Sequence, residues 1–162
     1  MTSFLRIVPI ANVLLPLMLV AATAGEQLDD HLRELTSRAV NNKVLTVAFA
    51  DFVDGKTRQP LSEGDVLVSR LTARIVDRNL LKVVERGQLD KVLQENKVAL
   101  SDYIDDSQSK KIGKVLGAQG LIYGPGTVVA GGIVFSIKLV AVDTGQILHG
   151  FTWQEVPLTR AA

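Results

Sequence analysis

The stretch from Ala118 to Trp153 constrains the fold most, because it predicts three consecutive β-strands. Between Leu121 and Leu148 it is rich in Val and Ile, which favour strands, and only two of its residues are charged. Gly131-Gly132 predicts a tight turn in which both central residues take positive φ. Asp143-Thr144-Gly145 predicts a type I turn followed by a bulge, with Gly145 in the left-handed conformation. A meander this apolar must be covered by helices.

The middle strand of this meander has two unequal faces, because successive side chains in a strand point to opposite sides of the sheet. We expect one set to be fully buried, namely Ile133, Phe135, Ile137, Leu139 and Ala141. We expect the other set to be partly buried, namely Val134, Ser136, Lys138, Val140 and Val142.

The residues before the meander predict the covering helices and two further strands. The first strand is apolar on both faces, so we place it centrally in the sheet. A capping box at Ser62-Glu63-Gly64-Asp65 opens the second helix, which is buried through Leu67, Leu71 and Ile75, with Val68 and Val76 widening that face. In chain order the elements are helix Glu26–Val40, strand Lys43–Phe52, a helix from Ser62 to about Asn79, strand Leu80–Arg86, helix Gln88–Lys97 and helix Ser107–Leu116, which ends at Gly117.

This order, α-β-α-β-α-α-β-β-β, predicts an α/β (α+β) fold. Helices pack on a mixed sheet whose C-terminal part is an antiparallel meander.

Residues 1–24 have the pattern of a secretory signal peptide. A short N-terminal region with one arginine precedes an uncharged apolar run that ends in Ala22-Thr23-Ala24, an A-x-A cleavage pattern. An uncleaved anchor and a buried helix are the alternatives, but Pro9 and Pro16 disfavour a regular helix. We therefore expect export, cleavage after Ala24, and a single mature domain formed by residues 25–162.

The charge balance and the cysteine count limit the partners. The sequence has 18 Lys and Arg against 17 Asp and Glu; residues 1–24 hold one Arg and no acid, so residues 25–162 carry 17 of each. A neutral chain has no general attraction to nucleic acid or anionic membranes. The chain has no cysteine, so we expect no disulfide, no thiolate zinc site and no attached lipid.

Six segments share a pattern in their order and spacing, namely Val44–Phe52, Val83–Arg86, Leu89–Glu95, Ile112–Ala118, Leu121–Gly124 and Leu139–Leu148. Together they resemble the periplasmic domain of the CsgG-type curli secretion channel and the flagellar outer-membrane protein FlgO, and more distantly the TolB N-terminal and penicillin-binding-protein activator domains. This resemblance implies an α/β domain used to assemble envelope structures, often in oligomeric rings, without catalysis.

Three features depart from that family. The channel carries a lipidated cysteine after its signal, which this chain lacks, so we do not expect a lipoprotein. The channel also inserts long hairpins that build a barrel, whereas Val128–Val134 is a two-glycine turn with no room for one, so we expect no transmembrane barrel. Gln119 stands where the family usually has Asp.

Catalytic patterns are weak in this sequence. Asp143-Thr144-Gly145 is the triplet of aspartic proteases, but it suits a turn better, and no later hydrophobic-hydrophobic-Gly element follows it. The histidines, His31 and His149, show no convergent metal-ligand spacing and are better interpreted as solvated or packed side chains. Neither a G-x-S-x-G elbow nor a phosphate loop is present. We predict no catalytic, cofactor-binding or metal-binding residues.

Arg70, Arg74 and Arg78 recur every four residues on one face of the second predicted helix. Such a stripe could bind phosphate, but a solvated face offset by nearby acidic residues fits a neutral domain better.

The sequence therefore predicts a non-enzymatic accessory domain of the cell envelope, in the periplasm or peripheral to the outer membrane. It would assist assembly or secretion of a curli- or flagellum-type structure by contact with other proteins or with copies of itself. The alternative is an exported dimeric aspartic-type hydrolase that uses Asp143.

Overall fold

The computed structural model describes residues 11–85, 87, 91, 94 and 113–155, with side chains from residue 25 onward. Two of the predicted helices, Gln88–Lys97 and Ser107–Leu116, lie largely outside the described residues, although residues 113–116 are helical. The described elements are α1 (Ala11–Asn41), β1 (Thr46–Asp54), α2 (Ser62–Asp77), β2 (Lys82–Val83), β3 (Gly120–Val129), β4 (Gly132–Ala141) and β5 (Ile147–Glu155).

The five strands form one mixed sheet in the order β2-β1-β3-β4-β5. Strand β1 runs parallel to both of its neighbours, whereas β3, β4 and β5 form an antiparallel meander. The seven residues from Val47 to Val53 are all buried, as expected for a strand covered on both faces. The α/β fold class, the order of elements and the central position of β1 are confirmed.

The two faces of β4 differ as its alternation predicts from Ile133 to Leu139, but Val140 and Val142, which we expected to be partly buried, are buried in a second apolar cluster with Ala118 and Leu121. The residues from Ile133 to Ala141 at odd positions are all buried, whereas Val134, Ser136 and Lys138 are half-exposed. The buried face packs against α1 and α2, which contribute apolar residues from each turn. These helix residues are Leu28, Leu32, Leu35 and Ala39 of α1, and Leu67, Val68, Leu71 and Ile75 of α2.

Helix α1 is longer than predicted, because it begins at Ala11 and passes through Pro16 and the expected cleavage site without a break. The expectation that Pro16 would prevent a regular helix is wrong; the surrounding Leu, Ala and Met residues favour helix strongly. Among the described residues, no helix is both long and apolar enough to cross a membrane.

Helix α2 differs from its prediction at its first residue and on one side. Leu61 is the N-cap residue and makes no side-chain cap, and the Ser62 hydroxyl donates to Glu63 Oε2 at 2.9 Å, so the predicted capping box is absent. Val76, expected on the buried face, is 53% exposed. Only a narrower apolar stripe of α2 therefore faces the sheet.

The turn between β4 and β5 lies where it was predicted, and the positive φ of Gly145 is confirmed. Gly145 has φ +72°, and its N–H donates to the Ala141 carbonyl at 2.8 Å. The turn between β3 and β4 is shifted by one residue, because Val129 pairs with Gly132 and the loop consists of Ala130 and Gly131. Gly132 opens β4, so the expectation of two central glycines is wrong.

Two glycines within the family-like segments lie where a side chain has no room. A Cβ on Gly124 would lie 1.6 Å from the Ser136 carbonyl oxygen. A Cβ on Gly113 would lie 2.2 Å from Cγ2 of Val142. Because Gly124 has no side chain, β3 can lie close to β4. Because Gly113 has none, the helical residues 113–116 can lie close to the second face of the sheet.

Candidate interaction surfaces

Asp143, the residue of the hydrolase alternative, lies exposed in the β4–β5 turn. Its Oδ1 accepts a hydrogen bond from the Thr144 N–H at 2.7 Å, and the Thr144 hydroxyl accepts one from the Gln146 N–H at 3.2 Å. These are the contacts by which Asp and Thr side chains stabilise a turn.

Both histidines pack between α1 and β5. His31 stacks on Phe151 with ring centroids 4.6 Å apart, and His149 lies 5.8 Å from the same ring. Burial lowers the pKa of His149, and nearby His31 and Arg38 act in the same direction, whereas Glu34 opposes them. This arrangement agrees with packed histidines. Among the described residues, no three His, Cys, Asp or Glu side chains are grouped as metal ligands.

The arginine stripe of α2 ties the helices together. Arg74 donates to Asp29 Oδ1 and, at 3.3 Å, to the Gly25 carbonyl, and Arg78 reaches Asp29 Oδ1 at 3.2 Å. The hydrogen bond from Arg74 holds the pKa of Asp29 below its usual value. The stripe is therefore neither a phosphate site nor the simply solvated face that we expected, because its cations are directed to acidic residues from distant parts of the chain.

Arg70, the third member, fixes the end of β5. Its two terminal nitrogens each lie 2.9 Å from a different oxygen of Glu155, which forms a bidentate pair, and the Trp153 indole N–H donates to Glu155 at 3.0 Å. Glu155 is buried, and such a carboxylate must be paired to be tolerated.

Gln119 joins the beginnings of β1 and β3. Its side-chain oxygen accepts hydrogen bonds from the Leu45 N–H at 2.8 Å and from the Thr46 N–H at 3.2 Å. A carboxylate oxygen can accept the same two bonds. Gln119 in place of the family's Asp therefore retains the two hydrogen bonds and lacks only the negative charge.

A groove with a volume of about 820 Å³ runs between α2 and the sheet edge at β2; we call it the α2–β2 groove. Small hydroxyl side chains from α2, Ser69 and Thr72, are among the residues that line it. Its apolar side chains, which we call its floor, come from β1, from α2, from β2 and from the residue after β2, namely Phe49, Val68, Ala73, Val76, Val83 and Val84.

The rim of the α2–β2 groove is acidic. Asp65 and Asp77 lie at opposite ends of α2, and Glu85 follows β2, whereas no Lys or Arg lines the groove within the described residues. An apolar floor with carboxylates at the rim is complementary to an amphipathic segment that carries basic residues.

A second hollow, of about 340 Å³, lies at the loop after β1. Lys56 and Arg58 line it, but the carboxylate of Asp54 lies beside them and accepts the backbone N–H groups of Lys56 at 2.8 Å and of Thr57 at 2.7 Å. Those bonds, that of Thr57 first, lower the pKa of Asp54. The loop thus stabilises the charge of the Asp54 carboxylate with its own backbone N–H groups. The lining of the hollow therefore points to no particular ligand.

The fold and the surface define a small α/β domain with a groove that has an apolar floor and an acidic rim, and without an assembled catalytic cluster among its described residues. The family described as curli production assembly/transport component CsgG matches residues 32–133, which is more than half of the chain. The chain therefore belongs to the CsgG family.

Solved structures share the fold at low sequence identity. The C-terminal domain of LpoB from Escherichia coli has a TM-score of 0.57 and 17% identity, over 78% of this chain and 96% of that one. The same domain from Salmonella enterica has a TM-score of 0.55 and 19% identity, over 70% and 84%. Lipoprotein GNA1162 from Neisseria meningitidis has a TM-score of 0.55 and 10% identity, over 73% and 84%. No curated protein sequence matches the chain.

Sequence reasoning missed the α2–β2 groove because it assigned Val76 to the core. No signal in the sequence separates Val76 from the buried residues of α2, because it lies within an apolar stripe of ordinary width.

Proposed function

We propose that this protein is an exported, non-enzymatic domain of the cell envelope that assists assembly or secretion of a surface structure. It would act by binding a segment of another protein in the α2–β2 groove. The partner segment would be amphipathic, with apolar residues on one side and Lys or Arg on the other.

The observation that carries this proposal is the apolar floor of the α2–β2 groove on a domain of the CsgG family, in which Val76 is exposed and Val83 and Val84 are half-buried. Val76, one of the residues that line the groove, is 53% exposed, and its burial by a partner would be favourable. The carboxylates of Asp77 and Glu85 at the rim favour a basic segment over an acidic one. Membership of the CsgG family, described as an assembly/transport component, supports a function in protein binding rather than in catalysis.

The proposed location is the periplasm, with a mature N-terminus at Gly25. The leader pattern of residues 1–24 supports this location. Mass spectrometry of the protein isolated from its own cells tests it: we expect a chain that begins at or within a residue or two of Gly25 in the periplasmic or envelope fraction. Recovery of the intact leader on a cytoplasmic protein would end the envelope proposal.

The groove is tested by matched substitutions of two exposed valines. Val76 lies in the α2–β2 groove, and Val128 lies near the end of β3, with 64% of its surface exposed. Envelope proteins that co-purify with the wild type should be lost with Val76→Glu, which places a charge on the apolar floor, and retained with Val128→Glu. Added salt should weaken the same association, since the rim is charged.

Two outcomes would contradict this use of the groove. Equal co-purification by both variants would mean that the partner binds elsewhere. A much larger loss of thermal stability for Val76→Glu than for Val128→Glu would mean that the chain itself fills the groove.

A further inference from the structure

The outer edge of β5 has no paired strand within the described part of the chain. β5 ends the sheet order and pairs only with β4. Half of its backbone N–H and C=O groups therefore point away from the sheet, along an edge that is about 30 Å long for nine residues at the usual rise per residue. Such an edge is a template for another extended chain.

Within the described residues, this edge lacks the charged residues, the Pro and the central bulge that usually protect an edge strand against pairing. Proteins commonly guard edge strands with Lys, with Pro or with a bulge in the middle of the strand. From Ile147 to Gln154, β5 contains neither a Lys, Arg, Asp or Glu nor a Pro. Its irregularity lies at its start, where the register shifts between Leu139 and Val140 of β4. From His149 to Gln154 the strand is regular and uncharged.

The strand is also held rigidly. Glu155 at its end is fixed by the two hydrogen bonds from Arg70, and Phe151 at its centre stacks on His31 of α1. A preformed edge loses little conformational entropy when another strand pairs with it, which favours association.

The side chains of β5 are self-complementary about Phe151. In an antiparallel pair with Phe151 opposite its own copy, His149 faces Trp153 on the side covered by α1, and Gly150 faces Thr152 on the exposed side. His149 and Trp153 are half-exposed, although their β4 partners Leu139 and Phe135 are fully buried. The two aromatic side chains thus retain surface that a neighbouring strand would cover.

Electrostatics also permits two copies to approach. Residues 25–162 carry equal numbers of basic and acidic side chains. On α1, next to β5, Arg33 pairs with Asp30 and Arg38 pairs with Glu34, both at 2.7 Å. Charges that are already paired within one copy give little repulsion of a second copy.

We propose that the occupant of this edge is a second copy of the chain, paired β5 to β5 in antiparallel orientation about a two-fold axis at Phe151. The product is a closed dimer with a continuous ten-stranded sheet, because an isologous contact of this kind uses up the edge. The proposal does not depend on the α2–β2 groove, which lies at the other end of the sheet.

This dimer keeps the two copies of Asp143 apart. Asp143 precedes Ile147, which lies four residues from the axis, or about 14 Å along the strand, so the two turns are more than about 27 Å apart. An aspartic dyad requires carboxylates in contact. The proposed dimer is therefore not the dimer of the hydrolase alternative.

The test is sedimentation equilibrium of the purified processed protein over a range of concentrations, with Thr152 near the axis substituted by either charge. The wild type should show a reversible monomer–dimer equilibrium. Thr152→Lys and Thr152→Glu should each weaken dimerisation about tenfold or more, because the two like charges lie on the same face as diagonal neighbours across the strand pair, about 7–8 Å apart. An equimolar mixture of the two variants should restore dimers.

Thr127→Lys is the matched control, because Thr127 is an exposed threonine on β3, away from the edge; it should dimerise as the wild type does. A wild type that stays monomeric at every concentration overturns the proposal. This holds even if Thr152→Lys blocks binding of another protein, because the edge would then serve a different partner. Dimers or rings that persist unchanged in Thr152→Lys overturn it too, since their interface lies elsewhere.

Discussion

Helix α1 is an integral part of the domain core, so truncation of one of its side chains should be costly. Leu32 is fully buried against the sheet. Leu32→Ala removes about three carbons, worth about 2.4 kcal/mol at about 0.8 kcal/mol per buried CH₂. The cavity left behind adds to this, and we expect a total loss of about 3–4 kcal/mol in the free energy of unfolding.

The assay is urea or thermal unfolding of the purified protein followed by circular dichroism. For a domain of this size the loss corresponds to a fall in Tm of about 10–15 °C. Arg33→Ala, on the exposed side of the same helix, is the control. Its ion pair with Asp30 lies in solvent, so the change should stay within about 0.5 kcal/mol. Equal effects of the two substitutions would refute the packing of α1 on the sheet.

Three further predictions follow from local geometry. Gly145→Val should destabilise the domain by about 1–3 kcal/mol because φ is positive there, whereas Asp143→Asn should cost little; urea unfolding measures both, and the reverse order would reveal a role for the carboxylate. Gly124→Ala should prevent folding or soluble expression, because its Cβ would meet the Ser136 carbonyl oxygen. Gly150→Ala, whose Cβ would lie 3.6 Å from the nearest atom, should fold normally. Soluble yields and circular dichroism compare the two variants. The folded state lowers the pKa of His149, so the free energy of unfolding should fall as the pH drops below 6.5. His149→Gln should reduce this pH dependence. The same pH dependence in the variant and the wild type would contradict the prediction.

The meander was predictable because its signals are local. The alternation along β4 places Ile133 to Ala141 on one face whatever the rest of the chain does, and a glycine after Asp143-Thr144 meets the need for positive φ. The shifted β3–β4 turn shows the limit of such signals. A type I′ turn and a turn with one glycine both accept Ala130-Gly131-Gly132, and only the pairing of Val129 with Gly132 distinguishes them.

The surfaces were less predictable because they depend on contacts between distant residues. Nothing near Arg74 in sequence indicates that it pairs with Asp29, and Glu155 lies 85 residues from Arg70. Periodicity likewise assigned Val76 to the apolar side of α2 but could not show that the sheet ends before reaching it. Tertiary packing, rather than propensity, decided each of these positions.

The most direct test of the proposed function is site-specific photocrosslinking in the cells that make this protein. A photoreactive amino acid replaces Val76 in the α2–β2 groove or, as the matched control, the exposed Val128. The proposal predicts a specific adduct between the mature protein and another envelope protein from position 76 and none from position 128. The same adducts from both positions, or an adduct from position 76 only with cytoplasmic proteins, would contradict it.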